Sequence, residues 1–275
     1  MAGKIRQYFK DRKDDAGDFG GGAVGKLVVA LIVIYLLVSL VLGMIWSSEP
    51  DSFSVRNHTR ALASEMQREP VTGFATTATI IRIAETLLDK SGGYISNDIA
   101  PPGLWMDNMP YWEFGVLVQL RDFSRAMRKD ISRSQSQSAE DKDLVIAEPQ
   151  FHFDNGSWAI PSTEAEYRRG IQAMKSYLSR LSHPEQPDAQ FYARADNLAN
   201  WLGDLETRIG SLSRTLGESV GKASVQDAVA NINPNDPLAE DIKAKEVKTD
   251  WTKIDDVFYE ARGATWAMLH LFRAI

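Results

Sequence analysis

A run of twenty residues without a charged side chain, Leu27 to Trp46, constrains this chain more than any other feature. At about 1.5 Å rise per residue, a helix of this length spans roughly 30 Å, which is the thickness of the hydrocarbon core of a bilayer. A buried helix of a soluble protein would show a polar stripe, and this run has none. The sequence therefore predicts one transmembrane helix over residues 27–46.

A cleaved signal peptide is the main alternative for an apolar run near the start of a chain. The apolar part of a signal peptide has roughly 7 to 15 residues and precedes a cleavage site of small residues. This run is longer, follows 26 other residues, and continues into Ile45, Trp46 and Pro50. We therefore predict an uncleaved anchor, with Trp46 at the membrane interface.

Basic residues are distributed unequally around the predicted span. Six Lys and Arg precede it, and only Arg56 and Arg60 occur in the twenty residues that follow it. Because basic residues concentrate on the cytoplasmic side, we expect residues 1–26 to be a short basic cytoplasmic tail and residues 47–275 to lie outside. The complete lack of cysteine fits an oxidising compartment. In a Gram-negative bacterium, this layout is that of a single-pass inner-membrane protein with most of its chain in the periplasm.

The net charge of −6 is the sum of two unlike parts. The first 26 residues hold six basic and four acidic side chains, a charge of +2, and the rest holds 25 basic and 33 acidic, a charge of −8. An acidic outer part argues against a nucleic-acid partner, because phosphate contacts usually need a basic domain. The four histidines are far apart and show no metal-binding spacing, so we expect no metal and no cofactor.

Apolar residues outside the span mostly recur at helical spacing. The pattern is clearest in Val116, Leu120, Phe123, Met127 and Ile131, which recur at intervals of three and four. The sequence predicts a mainly α fold, in which the transmembrane helix precedes an elongated periplasmic helical bundle. We divide that bundle into a region over residues 47–183 and a C-terminal helical hairpin over residues 184–275.

The C-terminal hairpin is predicted from an unbroken heptad pattern, which we call the seam. Its members alternate at spacings of four and three: Phe191, Ala195, Leu198, Leu202, Leu205, Ile209, Leu212 and Leu216. Such a pattern specifies coiled-coil-like packing but not the partner, which is either an antiparallel helix of the same chain or a second copy in a homo-oligomer. Residues 217–250 look like a loose connector to a final helix that begins at Trp251.

One segment departs from the helical pattern and predicts a small β-hairpin. Aromatic and aliphatic residues flank the turn sequence Asp154-Asn155-Gly156, with Phe151 and Phe153 before it and Trp158 and Ile160 after it. Asn-Gly between such residues is a strong hairpin signal, because both positions tolerate positive φ.

Acidic and aromatic residues concentrate over residues 97–113, before and at the start of the periodic segment that contains Val116. The candidate ligand or partner-binding residues are Asn97, Asp98, Trp105, Asp107, Asn108, Trp112 and Glu113. Paired carboxylates beside aromatic rings are what glycoside hydrolysis requires. The same residues suit glycan binding without turnover, and acids in Pro- and Asn-rich loops also cap helices while tryptophans fill cores.

Several stretches resemble a known bacterial family. They are residues 92–138, which begin GGYISNDIAPPGLWMDNMPYWEFG, together with FHFDNGSWAIPS and EYRRG. The chain is similar there to the domain of unknown function 2333 family of proteobacterial single-pass inner-membrane proteins, and the resemblance extends from the anchor to the C-terminus. It implies the same layout and no activity, and it suggests that the seven candidate residues are characteristic of the family.

Three functions are compatible with this sequence. The leading hypothesis is a non-catalytic scaffold or accessory protein that binds another envelope protein or the cell wall. The first alternative is a periplasmic enzyme that acts on peptidoglycan or another envelope glycan through Asp107 and Glu113 or Asp98. The second is a sensor that signals through a membrane partner, because 26 cytoplasmic residues are too few for an output domain; Ser39 and Gly43 could let another helix approach closely.

Overall fold

The chain folds into helices in this computed structural model, which describes residues 22–134, 139–185, 188–219 and 250–275. These ranges contain eight α helices and no strand: α1 (Ala23–Trp46), α2 (Val55–Glu65), α3 (Phe74–Asp89), α4 (Asn108–Ala126), α5 (Leu144–Phe151), α6 (Thr163–Leu181), α7 (Ala195–Ser219) and α8 (Ile254–Ala274). A π turn, Met127–Ile131, extends α4, and short 3₁₀ turns lie at Gly103–Trp105 and Trp251–Lys253. Most of the predicted tail and most of the predicted connector lie outside the described residues.

Helix α1 contains the predicted transmembrane span and begins four residues before it. Within the described ranges it is the one helix long and apolar enough to cross a membrane. Most of its apolar side chains point away from the rest of the chain, and Ser39 is its only buried residue. This exposure is what a lipid-facing helix requires and what a core helix of a soluble protein lacks.

The most extensive helix packing in the structure joins α4 to α8. Their backbones touch where two glycines meet the opposite helix. A Cβ atom added to Gly115 would lie 2.1 Å from the carbonyl oxygen of Glu260, and one added to Gly263 would lie 2.0 Å from that of Trp112. Glycine at both positions therefore permits a helix approach that any side chain would prevent. Helices α3, α5 and α6 complete the core around α4.

Helix α7 packs less completely than the other helices of the domain. Its buried residues are Asn197, Trp201, Leu205 and Ser219. Four members of the seam stay more than a third exposed: Ala195, and the larger Leu198 at 38%, Leu202 at 39% and Ile209 at 45%. The final helix α8 contacts α7 but packs mainly on α4, so residues 184–275 do not pair along the whole seam as the predicted hairpin would.

The predicted β-hairpin is wrong. Helix α5 ends at Phe151, the first residue of that segment, and Phe151 is completely buried in the core. Arg121 donates to the carbonyl oxygens of Phe151, at 2.8 Å, and Phe153, at 2.9 Å, which are acceptors that a strand ladder would need. The second half is exposed, with Ile160 fully open to solvent. The turn itself exists, because the Asp154 carboxylate accepts the Gly156 N–H at 3.0 Å.

A joint of specific contacts connects α1 to the helical domain. Gly92 has a φ of +86°, and a Cβ atom there would lie 2.7 Å from the indole ring of Trp46. Just beyond the helix, Glu49 pairs with Arg262 of α8 at 2.7 Å. The tryptophan at the end of α1 therefore packs directly on the turn after α3.

Candidate functional site

Glu113 is the centre of the candidate region, and it is completely buried. It lies on α4 and faces the loop that follows α3. One carboxylate oxygen, Oε1, accepts the Ile95 N–H at 2.8 Å and pairs with the Lys90 ammonium. The other, Oε2, accepts the Ser96 N–H at 2.8 Å and the Ser96 hydroxyl. We call Glu113, Lys90, Ile95 and Ser96 the Glu113 anchor.

The Glu113 anchor is a closed arrangement. Four donors surround the carboxylate, so its lone pairs are occupied and its charge is balanced by the ammonium of Lys90. The Lys90 side chain is 2% exposed and also donates to the carbonyl oxygen of Gly93. A catalytic acid must reach a substrate, and this carboxylate instead binds the loop of its own chain. The geometry therefore does not favour the acid–base role considered from the sequence.

Asn97 and Asp98 lie beside the Glu113 anchor. The Asn97 amide donates to the Ser157 carbonyl oxygen at 2.8 Å and to Glu164 at 3.0 Å, which ties the loop to the start of α6. Burial raises the pKa of the Asp98 carboxyl, and the negative charges of Glu113 and Glu164 raise it further. These contacts join three segments that are distant in the sequence.

The other four predicted site residues serve separate purposes. Asp107 caps α4, because its carboxylate accepts the N–H of Asn108 at 2.9 Å. Trp112 is fully buried, and its ring centre lies 5.4 Å from that of Trp266 in the α4–α8 core. Trp105 is 57% exposed on the loop before α4. The structure thus brings Asn97, Asp98 and Glu113 together and places the other four residues elsewhere.

Lys90 and Ser96 are essential to the Glu113 anchor and were not predicted from the sequence. Lys90 ends an apolar helix, where a lysine is ordinary, and it is 23 residues from Glu113. The positive φ angles of Gly92 and Gly93 turn the chain back toward α4. The Ser-Gly-Gly sequence signals a turn, but it does not say which side chain the turn encloses.

A cavity of about 420 Å³ beside α7 is a second feature that sequence reasoning missed. Its lining is mostly apolar and includes Val71, Phe191, Leu198, Trp201 and Ile275. Leu198 also belongs to the exposed part of the seam, so the cavity and that exposed surface are continuous. Within the described ranges, no group of three or more His, Asp or Glu side chains is placed to hold a metal ion.

The family comparison covers both α1 and the helical domain. Residues 21–275 match the model of a family described as "Uncharacterized protein conserved in bacteria (DUF2333)". The chain belongs to this family. Because the DUF2333 model begins before α1, the apolar helix is part of the family's shared sequence. No curated protein and no solved structure matches the chain.

Proposed function

We propose that this chain is a non-catalytic docking protein of the bacterial inner membrane, anchored by α1, with its helical domain in the periplasm. The domain binds an amphipathic helix of another envelope protein. Support for the anchor comes from the exposed apolar surface of α1 and from its place in the DUF2333 model. Support for the orientation comes from the six basic residues before the span against two in the twenty residues after it.

The observation that carries the docking function is the exposed side of the seam, which we call the α7 flank: Leu198, Leu202 and Ile209. At about 100° per residue, the three lie within about 40° of one another and roughly 80° around the helix from the buried Trp201. The seam therefore lies at the border between the side of α7 that packs on the domain and the side that faces solvent, with one half in the core and the other half in solvent. A partner helix can pack along that outer half.

The cavity beside α7 gives such a partner an anchoring point. Helix-in-groove complexes obtain most of their affinity from a few large apolar side chains that enter pockets. A cavity of about 420 Å³ is large enough for one aromatic or aliphatic side chain. In our proposal, a helix of a different protein covers the flank and places one large side chain in the cavity, which engages both features at once.

Site-specific photo-crosslinking in cells tests the docking function. A photoreactive phenylalanine replaces Leu202 on the α7 flank, and the matched control replaces Thr207, which is exposed on the opposite side of the helix. We expect an adduct at position 202 that is lacking at position 207, with the crosslinked peptide mapped to an amphipathic helix of another envelope protein. Equal adducts at both positions, no adduct at 202, or only an adduct of two copies of this chain would overturn the proposal.

Labelling of single cysteines tests the orientation, because the natural chain has no cysteine of its own. In spheroplasts, a membrane-impermeant maleimide should label Ile146→Cys, whose parent side chain is 48% exposed, without lysis. Lys4→Cys should label only after the membrane is opened. The reverse pattern would place the domain in the cytoplasm and end the envelope interpretation.

A further inference from the structure

One face of α1 is covered by a loop of the helical domain. Tyr35, Ser39 and Gly43 are four residues apart and share this face. The Tyr35 hydroxyl donates to the carbonyl oxygen of Pro101 at 2.8 Å, and a Cβ atom added to Gly43 would lie 3.6 Å from Cβ of Pro102. Ser39, between them, is 2% exposed. The loop therefore packs on the small residues Ser39 and Gly43 of a helix whose apolar side chains are mostly exposed.

The contact between the loop and α1 lies on the N-terminal side of Trp46, well before the end of the helix. Ser39 precedes Trp46 by seven residues, which corresponds to about 10 Å along the helix axis. Amphipathic elements that lie in a bilayer surface bury their apolar side about 5–10 Å deep. With Trp46 at the outer interface, the tip of the loop is at the depth of the first acyl carbons.

We infer that residues 99–106, which we call the apolar loop, insert into the outer leaflet of the membrane alongside α1. The inference rests on the anchoring of α1 proposed above. The apolar loop is then a second membrane contact of the chain, made by the domain itself, and it contacts the hydrocarbon of the bilayer.

The side chains of the apolar loop fit this environment. Its sequence, IAPPGLWM, has no charged residue. Three of its large apolar side chains remain exposed after the loop has packed on α1: Ile99 at 59%, Leu104 at 58% and Trp105 at 57%. Side chains of this size clustered in one exposed loop mark an interaction surface, and lipid is adjacent to this one.

The backbone of the apolar loop satisfies part of its own hydrogen bonding, which matters in lipid because an unbonded N–H is costly there. Pro101 and Pro102 have no N–H to satisfy. The Leu104 N–H donates to the Ala100 carbonyl oxygen at 3.1 Å, and the next two N–H groups donate to Pro102 and Gly103 at 3.0 and 2.9 Å. The Tyr35 hydroxyl donates to the carbonyl oxygen of Pro101, so that acceptor is satisfied as well.

The base of the apolar loop is fixed in the domain. Asp98 and Asp107 flank the loop, and Asp107 caps α4. The Glu113 anchor holds Ser96 only three residues before the loop begins. The base of the loop is thus held by the domain, and the Asp98 carboxylate folds against Gly103, where burial raises its pKa and so favours the neutral form that hydrocarbon tolerates better.

Depth-sensitive fluorescence of the full chain tests this inference. The environment-sensitive fluorophore NBD is attached to single cysteines in protein reconstituted into vesicles of phosphatidylethanolamine and phosphatidylglycerol. Leu104→Cys and, as a second variant, Trp105→Cys report on the apolar loop. Leu37→Cys, whose parent is 61% exposed on α1, reports on the anchor. Ile146→Cys on α5 is the control, an exposed apolar position near the far end of α4, where Glu148 pairs with Arg128.

We expect the labels at positions 104, 105 and 37 to show blue-shifted emission, quenching by nitroxide-bearing acyl chains and little quenching by aqueous iodide. The label at position 146 should show the opposite. A label at position 37 in lipid together with water-exposed labels at both loop positions would overturn the inference and leave the anchor standing. A water-exposed label at position 37 would overturn the anchor and, with it, the inference.

Discussion

Helices α4 and α7 carry similar apolar periodicity and differ greatly in burial. Eleven of the 19 residues of α4 are buried, against four of the 25 residues of α7. The difference comes from the residues between the apolar ones. In α4 these are small or paired side chains, such as Gly115, Ser124 and Glu113, so several helices can pack around it. In α7 many of the corresponding positions are polar and exposed, such as Asp204, Glu206 and Thr207, so only one side is covered.

Removal of the charge of Glu113 should produce the largest effect on stability, because it opens the most buried polar contact of α4. Glu113→Gln leaves the Lys90 ammonium buried without its counter-charge, which should lower the free energy of unfolding by about 3–5 kcal/mol. Thermal and urea unfolding of the full chain in detergent, followed by circular dichroism, measure the change. The matched control is Asp89→Asn, whose pair with Arg168 is more than half exposed and should contribute less than about 1 kcal/mol. Equal losses of unfolding free energy in Glu113→Gln and Asp89→Asn would contradict the closed arrangement of the Glu113 anchor.

A methyl group at Gly115 should have the next largest effect. Because the added Cβ would meet the Glu260 carbonyl at 2.1 Å, Gly115→Ala forces α4 and α8 apart and should cost about 2–3 kcal/mol. The same change in α7 is the control. Gly210 has no heavy atom within 4 Å of an added Cβ, so Gly210→Ala should raise stability by about 0.5–1 kcal/mol. A stabilised Gly115→Ala would show that the helices do not touch as described.

Two neighbouring leucines of the seam test how α7 is attached. Leu205 is 4% exposed and Leu202 is 39% exposed. Leu205→Ala should lower the free energy of unfolding by about 2 kcal/mol. Leu202→Ala should lower it by less than about 1 kcal/mol and should instead weaken partner binding. If the two losses of stability are equal, the seam is fully buried and the α7 flank is not free for a partner.

The smallest expected effect is a pH dependence from α8, the helix that contacts both α4 and α7. His270 is completely buried and neutral, because Nδ1 donates to the Trp266 carbonyl oxygen at 2.7 Å while Nε2 accepts the Phe53 N–H at 3.0 Å. Burial lowers the pKa of His270, and the charge of Arg273 lowers it further. As the pH falls below about 6.5, His270 is protonated in the unfolded chain while it is still neutral in the folded chain. The stability that the neutral His270 provides therefore declines as the pH falls toward its folded-state pKa.

The variant His270→Gln isolates that contribution, because glutamine can donate and accept without titrating near neutrality. Unfolding temperatures of both proteins are measured from about pH 7.5 to about pH 5.5, the range around the ordinary histidine pKa. We expect the wild type to lose more stability than the variant on acidification. Parallel curves would show that His270 is not held neutral by Phe53 and Trp266.

Local features of the chain were predictable from the sequence. The long apolar helix that contains Leu27 to Trp46 followed from length and polarity, which need no knowledge of neighbours. The helical class followed from periodicity in the same way. The Asn155-Gly156 turn was also recognised correctly, but the β-hairpin around it was wrong. Whether flanking aromatic residues form strands depends on Arg121, which lies about 30 residues earlier and binds the carbonyl groups.

Contacts between distant segments were not predictable in the same way. The sequence selected Glu113 for its charge and its aromatic neighbours, yet its partners Lys90, Ile95 and Ser96 depend on how a loop folds back onto α4. Trp112 was chosen as a possible ligand platform and instead fills the core against Trp266. The seam showed which side of α7 is apolar, but not that the side is only half covered, because that depends on where α8 packs.

The joint between α1 and the domain has a mechanical consequence. Three separate contacts hold α1 and the residue segment after it against the domain: Trp46 on Gly92, Glu49 with Arg262, and Tyr35 on Pro101. Because of these contacts, the domain cannot rotate freely about the end of α1. A lateral force on α7 therefore acts as a torque on α1. For the membrane anchor that we propose, the load is then borne by the tilt of α1 in the bilayer rather than by bending of residues 47–54.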